Sequence, residues 1–153
     1  MKIVCIFLIA MAALQGCVKV IPPMADTSDA AKIIYTRITL NPGEFQALRM
    51  FDNPRFEMTA RSGRLIEHGN FARQSASVYV PAGERKYFKA GYVVSSYNNY
   101  GLNFECSAGI SFIPVQGAIY TLTQRRSATD CTIDLVDENG EAPASMENLG
   151  VFR

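Results

Sequence analysis

The sequence predicts an all-β fold, an antiparallel β-sandwich of about eight short strands. Two observations point there. Short runs of alternating apolar and polar residues recur along the chain, separated by Gly, Pro and Asn pairs. Beyond the first residues no long helical pattern competes with them. The clearest run is Leu102–Pro114, where every even position is apolar or cysteine: Leu102, Phe104, Cys106, Ala108, Ile110, Phe112 and Pro114. Successive strand side chains point to opposite faces, so this strand has one core face and one wet face, with Cys106 on the core side.

Taken from the start, Met1-Lys2 precedes an apolar run, Ile3–Leu14, and then Gln15-Gly16-Cys17. One positive charge, a short apolar segment and a small residue before a break are the parts of a signal peptide over 1–16. The run is shorter than the roughly 20 residues that a helix needs to span a bilayer. Residues 17–31 carry Pro22-Pro23 and small polar side chains and read as a flexible tether. The folded domain is expected over 32–140, with 141–153 as a C-terminal tail.

Within that domain, Lys32–Leu40 reads as a strand with Ile34, Ile38 and Leu40 on one face. Asn41-Pro42-Gly43-Glu44 fits a type II turn, so a hairpin into 44–51 is preferred. The same residues could open a helix capped by Asn41, with Phe45, Leu48 and Phe51 as its stripe. Phe56, Met58 and Ala60 alternate with polar neighbours, which predicts a strand there. Turns follow at Ser62-Gly63 and His68-Gly69-Asn70, with room for a short strand between them. Ala76, Val78 and Val80 alternate before the Pro81-Ala82-Gly83 turn, and Phe88, Ala90, Tyr92 and Val94 alternate after it. Beyond Pro114-Val115-Gln116-Gly117, Ala118–Gln124 is a strand and Gln124–Asp130 a polar hairpin tip. Cys131, Ile133 and Leu135 then share the core face of the next strand, making the C-terminal run look like consecutive meander strands. Met146, Leu149, Val151 and Phe152 suit either a last helical turn or an edge strand.

Leu14-Gln15-Gly16-Cys17 resembles the lipobox of bacterial lipoproteins, although Gln15 stands where Ala, Ser or Thr is usual. The resemblance implies cleavage between Gly16 and Cys17, acylation of Cys17 and anchoring in a membrane. An ordinary signal peptide with an incidental cysteine is the other reading. Val18 follows the cysteine, and the lack of Asp there implies the outer membrane, facing the periplasm. With Cys5 removed and Cys17 acylated, Cys106 and Cys131 are the pair left, and an oxidising compartment would join them. Over Ala76–Val136, the order Val80–Gly83, Cys106, Phe112–Tyr120 and Cys131–Leu135 resembles small uncharacterised lipoproteins of proteobacteria. That resemblance implies a structural role for Tyr120 and brings no activity with it.

Charge narrows the partners. Lys+Arg number 15 against 14 Asp+Glu, and Lys2 leaves with the leader, so the mature chain is close to neutral. Nucleic acid calls for a basic field, so it is not an expected partner. Nor does the sequence suggest an enzyme: His68 is the one histidine, in an expected turn, and no nucleophile elbow, phosphate loop or metal-ligand cluster accompanies it. No cofactor and no metal are expected. Candidate binding loops are Tyr97, Asn98, Asn99 and Tyr100, whose residue types recur in binding loops, and Arg125 with Arg126 at the hairpin tip. The expected function is a non-catalytic envelope domain, anchored at Cys17 and acting through a protein or envelope component. The alternatives are a periplasmic inhibitor or immunity-type protein against a hydrolase and, third, a small enzyme.

Overall fold

A computed structural model of the chain describes residues 19–36, 44–69, 75–94, 104–126 and 130–152. Nine strands occur there: β1 (Ala30–Thr36), β2 (Glu44–Phe51), β3 (Gly63–Gly69), β4 (Ser75–Pro81), β5 (Lys86–Val94), β6 (Phe104–Phe112), β7 (Ile119–Arg126), β8 (Cys131–Asp137) and β9 (Glu147–Phe152). They form two sheets, one ordered β4-β1-β7-β8 and the other β3-β2-β5-β6-β9. All neighbours are antiparallel except β1 and β7. Each strand reverses the direction of the one before, so two odd-numbered neighbours have to run the same way.

The core between the sheets is aromatic and aliphatic. Ile33, Leu48, Phe88, Ile110, Phe112, Leu122 and Leu135 are fully buried. Phe112 stacks on Phe88 and meets Tyr120 edge-on, with ring centroids 5.0 Å apart in the second pair. The Tyr120 hydroxyl accepts the Val115 N–H at 3.2 Å, which satisfies it inside the core. Cys106 on β6 and Cys131 on β8 form a disulfide, with Cα atoms 5.9 Å apart. Their strands belong to different sheets, so the bond ties one layer to the other.

Several expectations change. On β1 the core residues are Ala31, Ile33 and Tyr35 rather than the face of Ile34, because three consecutive large side chains leave the phase of that strand open in sequence. Residues 44–51 are a strand, not a helix, and β2 does not pair with β1; the chain passes to the other sheet between them. The meander over the C-terminal strands also fails, since β6 lies in the five-stranded sheet and only β7 and β8 pair as a hairpin. Glu147–Phe152, in the stretch read as a tail, is an edge strand on β6.

No strand forms at Phe56–Ala60. The Asn53 side chain takes that backbone for itself, its Oδ1 accepting the N–H groups of Arg55 (3.1 Å) and Glu57 (3.0 Å) and its Nδ2 donating to the Glu57 carbonyl (2.9 Å). Phe56 sits in the left-handed region at φ 56°. Its ring lies edge-on to Phe51 and Phe152 at 5.2 and 5.1 Å, which offsets the strain of that backbone. The same loop covers the side of β6 expected to be wet. Ser107 and Ser111 are buried, and a Cβ on Gly109 would come within 2.9 Å of the Phe56 and Phe152 rings.

The stretch read as a flexible tether, 17–31, is held to the domain at both ends of its described part, and Ala30 and Ala31 already belong to β1. Val20 bridges Arg64 in parallel, the Ile21 N–H donates to the Arg64 carbonyl, and the Arg64 N–H donates to the Lys19 carbonyl, both at 2.9 Å. Gly63 permits the approach: a Cβ there would stand 2.5 Å from the Lys19 oxygen. At the far end of the segment, Gln116 Nε2 donates to the Ser28 carbonyl at 2.8 Å.

The disulfide gives a direct test. It closes a loop with a sequence separation of 25, so replacing both cysteines by alanine should cost roughly 3.5 kcal/mol on the loop-entropy account. Urea unfolding of oxidised and reduced protein measures it, and alkylation without reductant should find no free thiol at either position.

Candidate functional site

The strand registers bring four connections to one end of the sandwich. Thr36 lies opposite Ser75 and Thr123, Phe45 opposite Gly69, Val94 opposite both Glu44 and Phe104, and Arg126 opposite Cys131. Segments 37–43, 70–74, 95–103 and 127–129 therefore leave and re-enter the fold at that end. Tyr97, Asn98, Asn99 and Tyr100 fall in the third of these and lie outside the described residues, as do Gly16 and Cys17.

Beneath this end the interior turns polar. Tyr35, Gln46, His68 and Gln124 are all buried between the sheets. The Tyr35 hydroxyl donates to Gln124 Oε1 at 2.8 Å, Gln124 Nε2 donates to the Ala90 carbonyl at 3.3 Å, and Gln46 Nε2 donates to the Thr36 carbonyl at 3.3 Å. His68 corrects another expectation: it is not in a turn but inside β3, stacked on Tyr35 with ring centroids 5.5 Å apart. Nothing in the sequence distinguishes this histidine from a turn residue, because Gly69-Asn70 follows it directly. Burial pushes the Tyr35 hydroxyl far above its ordinary range, so it stays a neutral donor.

Arg125 and Arg126 end β7 in different surroundings. Arg125 is exposed and pairs with Asp134 on the adjacent strand at 2.7 Å. Arg126 turns toward the other sheet, its guanidinium 4.4 Å from the centroid of the Tyr92 ring and 3.5 Å from the buried carboxylate of Glu44. It is a strap between the layers, and its charge is already engaged.

A second feature lies at the opposite end, a cleft of about 490 Å³ between the β3 and β4 edges. Ile21, Met50 and Leu65 line its apolar part, and a chain of ion pairs crosses its rim: Asp52–Arg61 (3.3 Å), Arg61–Glu84 (3.6 Å) and Glu84–Lys86 (2.9 Å). The Lys86 ammonium donating to Glu84, with Arg61 beside it, holds that carboxyl below the usual range. The Thr59 hydroxyl does the same for Asp52. Each charge of this four-residue chain meets an opposite one. His68 sits at the far end of its strand from the cleft, so the two features do not combine into a nucleophile and its base. Among the described residues no three His, Cys, Asp or Glu side chains gather as metal ligands. Compared with models of protein families and with curated proteins, the chain matches none.

Two outcomes follow. Arg126→Ala removes both the ring contact and the partner of a buried carboxylate, and should lower unfolding stability by about 1–3 kcal/mol in urea titrations. Tyr35 has a folded pKa above its unfolded one, so the unfolded chain loses that proton first. Its contribution is complete below about pH 10 and declines as pH rises further, by up to roughly 1.4 kcal/mol per pH unit. The difference in stability between wild type and Tyr35→Phe, measured from pH 8 upward, should shrink across that window.

Proposed function

We propose that the protein is a lipid-anchored, non-catalytic β domain of the cell envelope, held at Cys17 and working by contact with a protein or an envelope component. The observation that carries this reading is the Cys106–Cys131 bond, since a disulfide of this kind persists in an oxidising compartment. The apolar leader and the lipobox-like Leu14-Gln15-Gly16-Cys17 supply the route there, and Val18 favours the outer membrane. Several acyl chains on one cysteine exceed the two signals that stable anchoring needs. The end of the sandwich to which the strand ends of four connections lead is the natural contact surface, because loops carried on a two-layer scaffold are where contacts are usually made. A periplasmic inhibitor or immunity-type protein against a hydrolase is the second reading, and it uses the same end.

Cys17→Ser tests the anchor. The variant should leave the membrane fraction and lose palmitate incorporation; unchanged fractionation with no palmitate on the wild type would exclude it. Chemical crosslinking in intact envelopes, with the recovered partner identified by mass, then tests whether the contact end carries the function.

A further inference from the structure

On the outer face of the five-stranded sheet, three basic residues stand in one row across three strands. Arg64 of β3 is opposite Arg49 of β2, and Arg49 is opposite Lys89 of β5. Like charges directly opposite one another across a ladder are unfavourable. Arg64 is relieved by Glu67. Among the described residues, Arg49 and Lys89 have no acidic partner; Lys89 Nζ instead sits 5.3 Å from the centroid of the Phe152 ring. Of the other acids beside this face, Glu57 is taken by Arg55 and Glu147 by Arg85.

Apolar side chains flank the row. Strand alternation puts Phe45 on the same face as Arg49, and it is 44 % exposed. Met58, in the loop that packs on this face through Phe56, is 56 % exposed. The chain also enters the domain here. Lys19–Ile21 runs along β3 beside Arg64, and Lys19 Nζ donates to the carbonyls of Thr59 and Ala60 in that same loop. Cys17 is two residues earlier, at most about 7 Å of extended chain from Lys19.

From this arrangement we infer that the outer face of the five-stranded sheet docks on an anionic lipid surface, with Arg49 and Lys89 facing phosphate-bearing headgroups and Phe45 and Met58 entering the interface. The inference rests in part on the lipid-anchored reading, because the docked N-terminal segment would bring the acylated end to the edge of this face. Lipid is favoured over a protein partner by the combination: cations without counter-charges, separate exposed apolar side chains rather than one apolar patch, and an anchor too close to leave the face free. The four-stranded sheet then faces away from the membrane.

The test uses the purified full-length product reconstituted into vesicles, either phosphatidylethanolamine with phosphatidylglycerol or phosphatidylcholine alone. A lysine-modifying reagent reports on Lys89 and on Lys32, which lies on the opposite sheet, each rate normalised to its own value in detergent. On anionic vesicles Lys89 should react about fivefold more slowly than Lys32, and on neutral ones the two should agree within about twofold. Arg49→Gln should relieve the protection of Lys89. It should also leave the urea midpoint in detergent at or above wild type, because it removes a like-charge opposition. Equal rates on anionic vesicles would overturn the proposal, as would an Arg49→Gln variant that keeps full protection. Protection found in native envelopes but absent from anionic vesicles would assign the face to a protein instead. The mass of the purified chain reports acylation separately: an unacylated product removes the anchor reading, while the lysine ratio still decides the face.

Discussion

The two sheets are joined covalently at the end where their shared interior is least apolar. Toward the far end, Phe88, Phe112 and Tyr120 fill the gap and hold the layers by burial. Toward the Cys106–Cys131 end, the space is occupied by Tyr35, Gln46, His68 and Gln124, whose polar atoms contribute little net attraction even when hydrogen-bonded. The disulfide and the Arg126 strap lie at that end, across the same two layers. A domain of this size has a modest core, so a cross-link placed where burial is weakest has the most to offer.

That placement also bears on how the molecule divides its labour. The strand ends that bound four connections lie at the cross-linked end, beside a polar layer in which the Gln46 and Gln124 amides have defined partners. The opposite end closes on itself through the Asp52–Arg61–Glu84–Lys86 chain. The broad faces differ as well. The five-stranded sheet is partly roofed by the 52–62 loop, whose Phe56 accepts a left-handed backbone in exchange for ring contacts on Phe51 and Phe152. What remains open beside that roof is basic, and the N-terminal segment arrives at its edge.

Much of the strand content was legible because a half-buried strand needs a period of two. Phe88, Ala90 and Tyr92, or Cys131, Ile133 and Leu135, announce their inner face with no help from the rest of the chain. The pattern fails where a second layer covers the outer face. Ser107 and Ser111 read as solvent-facing and are buried, because Phe56 and Phe152 arrive from distant parts of the sequence. It fails too where a side chain captures the backbone, as Asn53 does at Arg55 and Glu57. The binding candidates fared unevenly for a related reason: Arg125 and Arg126 are adjacent in sequence, yet strand alternation sends one to a neighbour in its own sheet and the other to the opposite sheet.

By itself, then, the sequence determined the class of fold, the core-facing positions of both cysteines, and the turns at Gly83 and Gly117, each of which has the positive φ that glycine tolerates. These are local properties, set by alternation and by backbone sterics within a few residues. Tertiary structure alone decided which strands are neighbours, that the disulfide spans two sheets, that His68 is a core residue, that Lys19–Ile21 docks on β3, and that Arg64, Arg49 and Lys89 share a row. Periodicity tells a strand which way to face and is silent about what it will face; that is settled only when two sheets close over one core.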